Sequence, residues 1–258
     1  MKRNRPTFAL LALGAVLAAP AGAWTPRSQE GIARTAARLA PPDLYRQIAR
    51  NRDAYLLGAV DPFRDAQPEN HVQNGDDGRL AEVIEVAVQN AVGSIRAQRP
   101  FNEIVYRLGV VAHYLADAND PLAGAESDPA EARYRDDFRR YAESAEPRLR
   151  IVFYGFRPGF EGRRDLPALV DEALRRGREL YPLVGREYRR IGFQPSVGRF
   201  NDRSTAFAVV GLGYNHAVSD IAEVLRYIWL EAGGADSRRR LPRRGRETVV
   251  VPPEEAPR

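Results

Sequence analysis

Few residues in this sequence can do chemistry. Histidine occurs only at 71, 113 and 216, cysteine is absent, and Lys2 is the only lysine. Thiol nucleophiles and thiolate metal ligands are therefore excluded, as is Schiff-base chemistry beyond Lys2. His113 and Asp117 stand four residues apart in a run of helical periodicity. That spacing puts both on one helix face, with Cβ atoms about 5–6 Å apart. An imidazole and a carboxylate so placed can hold one divalent cation. The same spacing also suits a surface pair or a core histidine, so it does not decide the matter. His216 and Asp220 repeat the spacing, but away from the apolar stripe of their helix. A polar face or a helix-packing hydrogen bond is expected there. Ser204-Thr205 beside Asp202 reads as a helix start, because no histidine is near it in sequence.

The elements that must position these residues are helical. Leu80, Val83, Ile84, Ala87, Val88, Ala91, Val92 and Ile95 recur at helical spacing between Gly78 and Arg99. Phe101, Ile104, Val105, Leu108, Val111 and Leu115 continue the pattern in a second helix, the one that carries His113. Pro100 separates the two, a residue favoured at helix starts. Further helices are expected over 129–154, 166–190 and 202–232, with shorter ones over 28–39 and 42–51. Gly233-Gly234 ends the last long one. Turn-rich loops fall at 61–77, 119–129, 155–165 and 192–201, and no strand alternation is convincing. The expected class is all-α, a bundle of roughly seven to nine helices.

The run from Gly109 through His113 and Asp117 to Pro121-Leu122 resembles the motif of the zinc-dependent phospholipase C / P1 nuclease family. There a helix with His-x-x-x-Asp is followed by a Pro-Leu turn. Upstream, Leu57-Gly58-Ala59-Val60-Asp61-Pro62 is similar to the family's Gly-Ala…Asp ligand segment, and His71 falls where its next histidine ligand stands. Trp24 is similar to the tryptophan that opens the mature enzymes and binds zinc through its amine and carbonyl. The segments 200–207 and 214–229 also look like bacterial members, so the resemblance covers 24 to about 234. It implies a phospholipase C/P1 nuclease-like helical bundle with one zinc held by Asp61, His71, His113 and Asp117. Trp24 is a further metal ligand on this reading, and Asp61 can serve as general base. The sequence departs from the family elsewhere. Gln29 stands where a second zinc's histidine is expected, Ala123 replaces a histidine, and Arg135 and Arg139 stand at a His-x-x-x-Glu pair. Further zinc sites are therefore in doubt. Asp136 and Asp137 are the nearest substitute carboxylates. Two guanidiniums in place of a dication suit an anionic phosphate, and an ordinary solvated helix face competes as the reading of Arg135 and Arg139.

Composition bounds the rest. Lys2, Arg3 and Arg5, an apolar run over Phe8–Ala19 and small residues at 21–23 read as a secretory signal, cleaved after Ala23. That run is too short to span a bilayer, which takes about 20 residues. The net charge of +5 is carried by the ends. The signal holds three basic residues and the tail 233–258 seven arginines against four acids, while 24–232 is close to neutral. A basic nucleic-acid-binding domain is not indicated, and no stable nucleic-acid complex is expected. The organisation expected is a signal over 1–23, one helical domain over 24–232 and a disordered Arg/Pro-rich tail over 233–258. The function expected is that of an exported, secreted or periplasmic, zinc-dependent phosphoric ester hydrolase of phospholipase C type. Its substrate would be a phospholipid or another phosphate ester, with no transmembrane segment left after cleavage. Two alternatives remain: a weak or inactive relative that binds a phosphate or lipid head group, and a P1-type single-strand nuclease.

Overall fold

A computed structural model describes residues 24–65, 67–74, 77–123, 128–158, 160, 164–236 and 249–252. The expected signal over 1–23 lies outside them. Eight α-helices stand among the described residues. α1 (Pro26–Ala37) starts where the Thr25 hydroxyl accepts from the Ser28 amide, with Pro26 in the first turn. α2 (Pro42–Arg50) and α3 (Arg52–Val60) follow. α4 (Leu80–Arg96) and α5 (Phe101–Ala118) are the two helices read on either side of Pro100. α6 (Arg135–Ala145), α7 (Leu166–Arg190) and α8 (Thr205–Glu231) complete the bundle. The Ser204 hydroxyl caps α8 by accepting from the Phe207 amide, and Gly233 at φ 91° turns the chain out of it.

α5 is the central helix. It packs on α1, α3, α4, α7 and α8, and every residue from Val111 to Ala118 is buried. α8 is nearly as enclosed, and its apolar stripe joins the same core. No described helix is long and apolar enough to cross a membrane.

Three sequence expectations need correction. The helix expected over 129–154 is α6 alone, flanked by one-turn 3-10 helices at Glu131–Arg133 and Glu146–Arg148. Pro147 cannot donate to the ladder, so α6 stops at Ala145. α3 was not expected, and the loop over 61–77 holds two 3-10 turns, Asp61–Arg64 and Pro68–His71, and a short hairpin. That hairpin pairs β1 (Gln73–Asn74) with β2 (Asp77–Gly78). In the tail expected to be disordered, the described residues 249–252 are structured. β3 (Val152–Phe153) pairs with β4 (Val249–Val250), and Val251 packs with Phe153 and Phe156.

Candidate metal centre

The site is built where α3 and α5 come closest. A Cβ on Gly58 would lie 2.0 Å from the Tyr106 carbonyl oxygen, and one on Gly109 would lie 2.1 Å from that of Tyr55. Only glycine permits backbones this close. The approach sets the Ala59 carbonyl oxygen 2.8 Å from His113 Nδ1. A carbonyl only accepts, so Nδ1 carries the proton and Nε2 offers its lone pair to the site. The edge of Phe63 closes on the His113 ring at 4.8 Å between centroids.

His71 reaches the same point from the 3-10 turn Pro68–His71. That loop is tied down at its end: the Arg79 amide donates to Glu69, the Leu80 amide to Val72 and the Gln73 amide to Ala123. His71 Nδ1 lies 2.8 Å from Asp117 Oδ2 and 3.3 Å from His113 Nε2, which is itself 3.2 Å from that carboxylate oxygen. Asp117 Oδ1 accepts from Gln29 Nε2 at 2.8 Å. Burial disfavours a proton on His71, but the hydrogen bond and charge of Asp117, with Asp65 and the Pro62 carbonyl, outweigh it and raise its pKa. Burial also works against the Asp117 carboxylate. The two imidazoles win, and its pKa is lowered.

These three residues fit a zinc ion. Ligand atoms from His71, His113 and Asp117 all lie within 4.8 Å of one another. Nitrogen and oxygen ligands about 2.0–2.1 Å from a tetrahedral zinc stand roughly 3.3–3.4 Å apart. Two of the three separations are 3.2 and 3.3 Å; the third, 2.8 Å, is a hydrogen bond. Replacing its proton by a cation requires that pair to open by about 0.5 Å. Three protein ligands leave a fourth position open, the arrangement of a catalytic rather than a structural zinc.

The other expected ligands are not in this group. Asp61 accepts from the Tyr106 hydroxyl at 2.7 Å and from Arg64 at 3.0 Å, so its carboxylate is committed to those two neighbours. The Trp24 main-chain nitrogen donates to Asp120 Oδ2 at 3.3 Å, and its indole donates to the Ala116 carbonyl. Trp24 is buried and anchors α1 to the end of α5. Arg135 forms an ion pair with Glu131. Arg139 is turned inward: a guanidinium nitrogen makes a long contact, 3.5 Å, to the Trp24 carbonyl oxygen, and its charge is felt by Asp120 and Asp117. Asp137 accepts from the Tyr188 hydroxyl and the Ser196 amide and cannot substitute as a ligand. Asp220 is fully buried against Arg176 and Asn119, the helix-packing role expected for it, and His216 lies against the Tyr154 ring. The sequence marked Gln29 only as a departure from the resemblance and Ala59 only as part of a ligand segment; that the Gln29 side chain meets Asp117 and the Ala59 carbonyl meets His113 had no sequence signal.

No protein-family model matches the sequence, and no curated protein does. Among solved structures, the chain is similar to the crystal structure of the alpha-toxin of Clostridium perfringens from avian strain SWCP. The TM-score is 0.57 at 12% identity, over 84% of this chain. The chain has the phospholipase C-like helical fold. It spans 65% of the toxin's length, so about a third of the toxin has no counterpart in it. At this identity the likeness shows the fold alone.

Proposed function

We propose that this protein is an exported, metal-dependent phosphoric ester hydrolase of phospholipase C type, acting on a phosphodiester. The convergence of His71 Nδ1, His113 Nε2 and Asp117 Oδ2 carries the proposal, because it is a three-ligand set with an open position inside this fold. A zinc ion held there would supply Lewis acidity toward a phosphoryl oxygen and acidify a water for attack on phosphorus. The chain's own residues do the rest. The Ala59 carbonyl fixes the His113 tautomer. Phe63 and Tyr114 wall the imidazoles with aromatic rings, which limits competing water. Tyr114, its pKa pushed up to about 12 by burial, keeps its proton at neutral pH and can only donate or accept as a neutral phenol. Asp61 is the expected general base. To act as one, it must exchange its bond to Tyr106 for one to the attacking water.

Turnover of a chromogenic phosphodiester by purified protein is the test. Activity lost on chelation, restored by zinc and reduced by at least 100-fold in His113→Ala supports the reading. Purified protein that holds zinc but turns over neither phospholipid nor single-stranded DNA supports the second reading, a relative that binds a phosphate or head group without catalysis. That second reading draws on Asp61 standing outside the group and on the lack of donors at Ala123, Arg135 and Arg139. Detection of the chain in the exported fraction, beginning at Trp24, is expected from the signal pattern.

A further inference from the structure

We propose that Gln29 is a positioning residue that limits the centre to one divalent cation, by holding Asp117 Oδ1 so that only Oδ2 is offered. This rests on the metal reading above and adds to it a count and a cause. Gln29 sits in the first turn of α1, 1% exposed, with its amide nitrogen bonded to the Thr25 carbonyl. Its side chain therefore enters the site from a fixed point. Nε2 lies 2.8 Å from Asp117 Oδ1. A carboxylate only accepts, so the amide can meet it with its NH2 end alone. Turned that way, Gln29 Oε1 is buried with no hydrogen-bond partner. Leaving a buried acceptor unmet is costly, so the orientation is set by the stronger, charge-assisted bond to Asp117.

The consequence is a division of the carboxylate. Oδ2 faces His71 and His113, and Oδ1 is taken. A carboxylate that bridges two cations with one oxygen on each uses both oxygens, and this one turns a single oxygen toward the histidines. The ground beyond Gln29 is also closed to a second dication. Asp120 is engaged by the Leu122 and Trp24 main-chain nitrogens, and the Arg139 guanidinium reaches the Trp24 carbonyl. A permanent positive charge therefore stands on that side of Asp117.

Chelator-treated protein titrated with zinc, and separately with cobalt read by its visible absorption, tests this. The wild type should take one ion per chain by elemental analysis. Gln29→Met keeps the volume and removes the donor. With Oδ1 released, it should bind its first ion roughly 10–100-fold more weakly, with a changed cobalt spectrum and an unchanged helical circular dichroism. A wild type that saturates at two ions overturns the inference, whether or not the variant folds. So does Gln29→Met with unaltered affinity and spectrum. A wild type that binds neither zinc nor cobalt overturns the metal reading as well, which separates the two failures.

Discussion

The contact between His71 and Asp117 decides what the centre does without a cation. The imidazole pKa is raised and the carboxylate pKa lowered, so without a cation each group favours the charged form of the other. A raised folded-state pKa contributes stability that is fully present below the unfolded value, about 6.5 for histidine, and is lost as pH rises through the folded value. The lowered Asp117 pKa contributes above the usual carboxylate range and fades in acid. Chelator-treated protein should therefore lose this contribution on going from a pH below the unfolded value, about 6.5, to a pH well above it. Urea midpoints at the two pH values measure it, and His71→Asn should flatten the difference. Zinc competes with the same proton, so its stabilising effect should grow over that interval. A midpoint difference that His71→Asn leaves unchanged would mean that other groups control it. His113 and Asp117 were legible as a pair because four-residue spacing on a periodic helix is a geometric statement. His71 was legible only through the resemblance, since a loop gives no spacing rule that points across 42 residues to His113.

At the level of elements, the long helices could be read because each has an apolar face repeating every 3.6 residues. α4, α5, α7 and α8 agree with that reading to within a few residues. α3 escaped it because nine residues, with Gly58 near its end, carry too little pattern. Yet α3 is the element that makes the site, through the glycine-to-backbone contacts that bring Ala59 to His113. The sequence shows the glycines but not that they face the same crossing. Gly109→Ala should force α3 and α5 apart, because the added methyl would meet the Tyr55 carbonyl 2.1 Å away. Overpacking of this kind costs about 1–3 kcal/mol or more. The bond from His113 to Ala59 should lengthen with it, and zinc affinity should fall by about 10–100-fold, as when a ligand loses its orienting partner. Calorimetric zinc titration of the folded variant checks this. A stability loss with unchanged affinity would show that the crossing supports the fold and not the site.

Across the whole molecule, the site end of α5 is fixed by a buried polar network. Arg176 on α7 is paired with Asp220 on α8, and both bond the Asn119 side chain that ends α5. Arg157 joins from the loop after β3, facing Asp220 and Glu223. Helical periodicity cannot announce such a network, because its members lie on three separate elements and are brought together only by packing. It clamps the turn at Asn119 and Asp120, two residues beyond Asp117, so α7 and α8 reach the metal centre without touching it. Removing one partner of a buried pair strands the other charge, at about 3–5 kcal/mol, while replacing both with apolar residues can cost little. Arg176→Met should thus lower stability by about 3–5 kcal/mol. The double change Arg176→Met with Asp220→Leu should recover most of that loss in denaturant unfolding. If the network also sets the turn beside Asp117, the recovered double variant should still bind zinc more weakly than the wild type, because Asn119 has lost Arg176 and Asp220 and keeps its bond to the Leu115 carbonyl. Equal zinc affinity in the two proteins would confine the network's role to joining the helices.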